Sequence, residues 1–279
     1  MLRRCLVAVC LLGTAPALEA QPGPSLEIVL ERFRTYLTSY SRAYSATVST
    51  ERYTQHYRSQ SVTLESEFAM VRAPGGREWL GFRDVLRVNG KDVTGRAGRL
   101  AGLFANPAGL SMVVASRIAE ESARFNIGRV RRTVNNPAIV LEILDPRHHP
   151  RFRFWRGGED RIGGIRAWVI RLAEQGRPTI VRDSGGRDEP VDGRVWIDPE
   201  HGTVLRAALR INISDLTREA LHLDVAFGFE KPLEMWVPVR MREIYEIGLR
   251  PLKTQPEQTG DATYVDYRQF VVQSRILPP

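Results

Sequence analysis

Few side chains in this chain have the type and spacing that catalysis needs. Ser184, in Asp183-Ser184-Gly185-Gly186, is a candidate nucleophile by residue type. A nucleophilic serine needs a base that a third group orients. The glycine-rich and charged residues that follow are typical of a surface loop. The sequence therefore predicts a loop here and not a serine nucleophile.

The histidines and paired carboxylates also favour structural roles. His148 and His149 are adjacent, so their side chains diverge and make a poor metal clamp, and no other histidine stands at a ligand spacing. Glu120 and Glu121 each have an arginine four residues away, which predicts an ion-paired helix surface and not an acid/base pair. We therefore predict no catalytic residue, no metal site and no cofactor. A hydrolase built from scattered residues is the remaining enzymatic alternative.

Large aromatic residues on alternating strands are the better candidates for a binding surface. Alternation can bring several of them onto one concave face, where they would either pack the core or line an apolar ligand groove. Apolar residues of a predicted helical segment, Gly98 to Asn126, would complete the groove. The candidate groove residues are Trp79, Phe82, Leu103, Phe104, Val114, Ile118, Trp168, Trp196, Trp236 and Tyr245.

One helical segment interrupts the strand pattern. Between Gly98 and Asn126 the period-two alternation stops, and apolar residues recur near a period of 3.6. Asn106-Pro107-Ala108-Gly109 divides the segment into two helices. The second helix has a polar side with i,i+4 ion pairs, so its apolar side must pack against another element, most simply a sheet. We expect a plug or lid, with 106–109 as its joint.

Two further helices are predicted. Ser25 to Tyr40 has apolar residues at helical spacing, with Ser25 as the N-cap. Asn136-Pro137 begins a short helix that Asp145-Pro146 ends.

Strands account for most of the remaining chain. Asn89-Gly90 is the strongest hairpin signal among their turns. The predicted strands are 43–57, 61–72, 78–88, 152–154, 165–172, 179–181, 195–197, 204–211, 221–229, 236–247 and 262–272. Roughly ten or eleven strands are more than one flat open sheet usually carries without curling. The predicted fold is α+β: a strongly curved antiparallel sheet, or incomplete barrel, with helices that fill or cap its concave face.

The first residues have the order of a secretory signal peptide. Arg3 and Arg4 precede an apolar run from Cys5 to Leu12, and small residues lead to Ala20. We expect cleavage near Ala20 and an exported chain, periplasmic or secreted, that is a single domain over 21–279 with a helical insertion at 97–144. A lipid anchor at Cys10 is the alternative, although a valine precedes it where a small residue is wanted.

The charge is basic but dispersed. The whole chain has a formal net charge of +8, and loss of residues 1–20 removes two arginines and one glutamate, which gives +7. The arginines are spread through alternating strands and form no run, which predicts a solvated basic surface and no nucleic-acid partner. Contact with anionic lipid headgroups or cell-wall polymers is the functional alternative.

Several motifs and the order of elements resemble the lipoprotein-carrier superfamily of LolA, LolB and the sensor-domain protein RseB. The hairpin strand Gly193–Pro199 and the following Gly202–Arg206 resemble the corresponding hairpin of that superfamily. Trp79–Val85 and Glu121–Gly128 are similar to uncharacterised secreted bacterial proteins. Over most of 25–275, the resemblance implies a curved incomplete barrel with helices in its mouth. By analogy it also implies acyl-chain binding, without assigning a ligand residue to any position.

Two non-catalytic functions are therefore expected. The first is an exported binding protein that holds a lipid, an acyl chain or a lipidated partner between the concave sheet and the helices of 97–126. The second is an interaction or sensor protein of the cell envelope whose groove is filled by its own helices.

Overall fold

A computed structural model describes residues 23–44, 47–72, 79–94, 120, 123–128, 137–183, 185–214, 219–246 and 258–269. The predicted signal peptide and most of Gly98 to Asn126 lie outside these residues, as do Leu103, Phe104, Val114 and Ile118. The helices are α1 (Leu26–Tyr44) and α2 (Ala138–Ile143), with short 3-10 helices at Pro146–Arg151 and Lys231–Leu233. The strands are β1 (Thr47–Tyr57), β2 (Gln60–Arg72), β3 (Trp79–Val88), β4 (Lys91–Asp92), β5 (Phe152–Ile162), β6 (Ile165–Glu174), β7 (Val191–Ile197), β8 (Val204–Ser214), β9 (Glu219–Glu230), β10 (Met235–Glu246) and β11 (Gln258–Gln269).

All eleven strands belong to one open, curved antiparallel sheet, which confirms the predicted α+β class. The strand order is β4-β3-β2-β1-β11-β10-β9-β8-β7-β6-β5. Strands β1 to β4 form a meander that runs to one edge, and β5 to β11 form a second meander that returns from the other edge. The two meet where β1 pairs with β11, from Thr47↔Gln269 to Tyr57↔Gln258. This seam joins the first and last of these strands in the interior of the sheet.

Local sequence explains most boundaries. Asn89 and Gly90 both have positive φ, 50° and 76°, as a two-residue hairpin turn requires. The hydroxyl oxygen of Ser25 accepts a hydrogen bond from the Ile28 amide at 3.3 Å and caps α1. The strand predicted at 179–181 is absent. The amides of Thr179 and Ile180 donate to the side chains of Asp188 and Glu174, so carboxylates replace the partner strand.

Helix α1 covers the concave face of the sheet. Its buried side is made of residues spaced three or four apart: Val29, Phe33, Leu37, Tyr40 and Tyr44. These side chains belong to one core with inward residues of β1 to β3, of β5 to β11 and of α2, which we call the main core. The rings of Tyr40 and Tyr44 lie 5.0 Å apart, and Tyr44 also contacts Trp79 and Tyr267.

The β7–β8 turn holds the N-terminal half of α1 against the sheet. Arg32 donates from Nη1 to the Pro199 carbonyl at 2.6 Å. Gly202, at a φ of 73°, lies so close to the helix that a Cβ would clash with the backbone of Arg32 and Phe33. The turn and the helix therefore touch through their backbones, and only glycine fits.

Gly202→Ala is expected to lower the free energy of unfolding by far more than the cost of a left-handed backbone conformation alone. Strain costs about 1–2 kcal/mol, and displacing α1 adds the loss of core packing. Gly90→Ala is the matched control, because Gly90 has a similar φ of 76° and a Cβ added there would meet nothing within 4 Å. Urea denaturation of both variants measures the difference. Equal losses would mean that the turn does not hold α1.

Candidate functional site

The structure divides the predicted groove aromatics between the two faces of the sheet. Trp79, Trp168 and Tyr245 are buried in the main core on the concave side. Phe82 is three residues from Trp79 on β3, so strand alternation places it on the opposite face, where it is also buried. Trp196 lies on that outer face too, because its neighbours Val195 and Ile197 belong to the main core.

Trp196 forms a small outer cluster with Ala167 and Leu205, and the half-buried Trp236 packs against it. The indole Nε1 of Trp196 donates to Asp160 at 3.0 Å. Three of the six described aromatics thus share the concave face. A role of the set in ligand binding stays a prediction.

Two buried ionisable side chains that the sequence pattern does not reveal, Glu51 and Arg83, lie under the concave face. Glu51 and Arg83 are 0% and 5% exposed, and Arg83 Nη2 donates to Glu51 Oε1 at 2.7 Å, while Nε donates to Oε2. The Arg83 guanidinium also lies 4.7 Å from the centre of the Tyr53 ring. Burial lowers the pKa of Arg83, but the adjacent Glu51 carboxylate outweighs it and the pKa is raised overall. The Arg83 guanidinium therefore stays protonated in its ion pair with Glu51.

A second buried carboxyl faces the same space. Glu243 accepts hydrogen bonds from the hydroxyls of Tyr53 and Tyr245, the latter at 3.1 Å. Burial raises the pKa of Glu243 to about 8, and the negative charge of Glu51 contributes in the same direction. A Cβ at Gly260 would lie 2.7 Å from the Tyr53 hydroxyl and would meet Glu243, so this glycine makes the room for the carboxyl. We call Glu51, Tyr53, Arg83, Glu243 and Tyr245 the polar core cluster.

Two buried glutamines attach residues 125–128 to the seam between β1 and β11. Gln55 of β1 donates to the Phe125 carbonyl and accepts from the Ile127 amide, both at 3.1 Å. Gln258 of β11 donates to the Ile127 carbonyl at 3.1 Å. Gly128 has a φ of 99°, and a Cβ added there would displace the Gln258 side-chain amide. Residues 125–128 are thereby fixed to the centre of the sheet through their backbone.

Two clefts open at the end of the sheet where α1 begins. One has a volume of 470 Å³ and lies between α1, the 3-10 helix Pro146–Arg151 and β5. Its lining is Leu26, Glu27, Leu30, Glu31, Arg34, His149 and Phe154. We call it the α1 cleft. The other, of 560 Å³, lies on the far side of the β7–β8 turn and is lined by Ile165, Arg166, Asp198, Pro199, Glu200, His201, Thr203 and Trp236.

The adjacent histidines have separate structural partners. His148 Nε2 lies 2.8 Å from Glu142 Oε1, and His149 Nε2 donates to the Leu144 carbonyl at 3.0 Å. Burial lowers the pKa of His149. Within the described ranges, no three His, Cys, Asp or Glu side chains are grouped as metal ligands. No helix in that part of the chain combines the length and apolar character needed to cross a membrane.

Comparison with known proteins finds similarity only among solved structures. No family model matches the chain, and no curated protein matches it. A domain from Vibrio parahaemolyticus assigned to outer membrane lipoprotein sorting is 12% identical, with a TM-score of 0.46, over 89% of this chain and 93% of that domain. A DUF1329 family protein from Desulfovibrio piger is 9% identical, with a TM-score of 0.43, over 88% and 95%.

A LolA superfamily protein from Nitrosomonas europaea is 12% identical, with a TM-score of 0.33, over 88% of this chain and 94% of that protein. A member of that superfamily is thus among the similar structures. Every TM-score is below 0.5, so function has to be argued from the residues of this chain.

The titration of Glu243 is expected to make stability depend on pH. The carboxyl has a pKa near 4.5 when exposed and about 8 in the fold. The folded chain therefore holds this proton more tightly, and the stabilisation is complete below about pH 4.5 and is lost as the pH rises through about 8. Urea denaturation from about pH 5 to about pH 9 should show wild type losing stability relative to Glu243→Gln. Glu246→Gln, at an exposed position of the same strand, is the control. Its stability should depend on pH as that of wild type does.

Glu51→Gln is expected to cost about 3–5 kcal/mol, because it leaves Arg83 charged and buried without its carboxylate. The double variant Glu51→Leu/Arg83→Met should regain most of that loss, since an apolar pair of similar volume removes both charges. Arg87 lies on the same strand as Arg83, but its ion pairs with Glu65 and Asp92 are at the surface. Arg87→Gln should therefore leave the free energy of unfolding nearly unchanged. A double variant no more stable than Glu51→Gln would contradict this account.

Proposed function

We propose that this chain is an exported, non-catalytic binding protein that holds an acyl chain or a lipidated partner on the concave side of its sheet. The observation that carries the proposal is the α1 cleft, which opens from solvent onto the main core. Its volume of 470 Å³ falls within the range of about 300–1,000 Å³ typical of small-ligand pockets.

The lining of the α1 cleft suits an amphipathic ligand. Leu26, Leu30 and Phe154 pack against the main core and give it an apolar floor. Arg34 lies at its rim, where it pairs with Glu31 at 2.5 Å and is half exposed. A carboxylate or phosphate headgroup can compete with Glu31 for this guanidinium, because an exposed ion pair is worth little. The chain of the ligand would then follow the apolar side of α1 inward.

Two buried donors support a ligand that carries oxygen atoms. The Tyr40 hydroxyl and the Trp168 Nε1 are buried in the main core and have no hydrogen-bond partner among the residues that the structure describes. Unsatisfied buried donors are uncommon in folded proteins. An ester or carboxyl oxygen that reaches the concave side would accept from either of them.

The second function is an interaction or sensor protein whose groove is filled by its own helices. The observation that favours it is the packing of α1 and α2, which already bury the centre of the concave face. From α2 and the residue after it, the buried side chains are Val140, Leu141, Ile143 and Leu144. Under this function α1 stays in place, and the partner binds outside the concavity.

Binding of palmitic acid, together with extraction of co-purified lipid, distinguishes the two functions. Under the proposed function, palmitate raises the melting temperature of wild type, and Leu30→Gln weakens its affinity about fivefold or more, which is about 1 kcal/mol. Ile28→Gln is the matched control, since Ile28 is 48% exposed on the same helix and is not part of the cleft lining.

Absence of co-purified lipid together with no shift of the melting temperature would favour the self-filled groove. Equal weakening by the two glutamine substitutions would place palmitate outside the α1 cleft.

A further inference from the structure

The outer face of the sheet carries an arginine pair that strand register creates. Arg171 of β6 lies directly opposite Arg194 of β7, and Trp155 of β5 lies directly opposite Arg171. Directly opposed side chains have Cβ atoms about 4.5–5.5 Å apart, so like charges at such positions repel. Arg153, two residues before Trp155, points to the same face. We call Arg153, Trp155, Arg171 and Arg194 the outer basic patch.

No carboxylate in the described part of the chain neutralises this patch. Arg153, Arg171 and Arg194 are exposed and form no ion pair there. Arg153 and Arg194 instead lie over the rings of Trp155 and Trp196, at 5.8 and 5.4 Å. Three cations are thus left for an external anion.

The row of opposed residues that contains Arg171 and Arg194 continues across β8 to β11, where its charges are arranged differently. Beyond Arg194 the register continues through Ala208, Asp224, Arg242 and Asp261, so that acids and bases alternate. Asp224 pairs with Arg206 at 2.6 Å, and Asp261 pairs with Arg240 at 3.4 Å. On β5 to β7, Glu159 pairs with Arg156 and with Arg166, and Asp192 pairs with Arg210 at 3.7 Å. Among the described residues these ion pairs do not include the arginines of the outer basic patch.

Two structural details favour a membrane surface as the binding partner of the outer basic patch. A Cβ at Gly157 would lie 3.0 Å from Arg171 Cγ and Nε, so this glycine lets the Arg171 side chain lean over the edge strand. Trp155 is 38% exposed among the arginines. Tryptophan is favoured at membrane interfaces, because its ring has an apolar body and a polar edge. The arginine charges would also attract a soluble acidic partner, but such a partner would not account for the exposed Trp155 ring.

We propose that the outer basic patch docks this protein on an anionic phospholipid surface. The guanidinium groups would bind lipid phosphates, and Trp155 would enter the headgroup layer. Strand β5 links this contact to the α1 cleft, because Phe154 lines the cleft on one face while Trp155 lies on the other. Docking would bring the cleft mouth near the lipid, but the patch is defined without reference to what the cleft binds.

Flotation with vesicles of phosphatidylcholine, with and without phosphatidylglycerol, tests the proposal. Wild type should bind the anionic vesicles, and added salt should weaken the binding. Arg171→Gln/Arg194→Gln should reduce partitioning at least about tenfold, since each basic residue near an anionic surface contributes about 1 kcal/mol. Arg240→Gln/Arg242→Gln removes the same charge from the same face and should change partitioning less than about twofold. Trp155→Ser should weaken binding without a change of charge.

Equal loss in the two arginine double variants would overturn the proposal, because net charge alone would then explain binding. Equal binding to neutral and anionic vesicles would overturn it as well. So would binding of the soluble polyanion heparin through Arg171 and Arg194 without any binding to vesicles. Palmitate affinity of Arg171→Gln/Arg194→Gln reports on the α1 cleft separately, so the two proposals can fail independently.

Discussion

The fold depends on the removal of one face of an eleven-stranded sheet from water, and α1 does most of this at the centre. Its five inward residues are Val29, Phe33, Leu37, Tyr40 and Tyr44. Burial of a large apolar side chain contributes about 1.5–3 kcal/mol. The helix therefore contributes on the order of 10 kcal/mol, similar to the whole free energy of unfolding of a typical domain, about 5–15 kcal/mol. Any ligand that enters the concavity must coexist with α1 or displace part of it.

The same constraint makes the seam between β1 and β11 unusual. Sealing the concave face also sealed Glu51, Arg83 and Glu243 away from water. Such groups are tolerated only when paired or neutral, and here both solutions occur side by side. Glu51 and Arg83 form an ion pair, while Glu243 is held by tyrosine hydroxyls and kept protonated by burial. The glutamine contacts to 125–128 come from β1 and β11, and β1 also carries Glu51 and Tyr53, so these contacts and the polar core cluster share that strand.

Strand β5 is where the two proposed contacts meet. As an edge strand it has neighbours on one side only, and alternation sends Phe154 into the α1 cleft and Trp155 to the outer face. An edge strand is a site that proteins commonly protect, and the bulge between Arg156 and Gly158 provides such protection here. Under the two proposals, β5 would connect the lipid surface with the α1 cleft.

The sequence by itself determined most of the described helices and strands, the antiparallel class and the curvature, because these follow from local periodicity, turn residues and strand number; the strand predicted at 179–181 was wrong. It also placed the cap at Ser25 and the turn at Asn89-Gly90 correctly. It did not reveal the polar core cluster. Strand β1 alternates without a break against β2, but its inward positions include the polar residues Ser49, Glu51 and Gln55. A search for apolar residues at every second position therefore does not show that Glu51 and Gln55 point inward.

Only the tertiary structure decided which distant residues stand together. Arginines that look dispersed along the chain become neighbours on the outer face, because pairing between strands is a long-range property that no local pattern encodes.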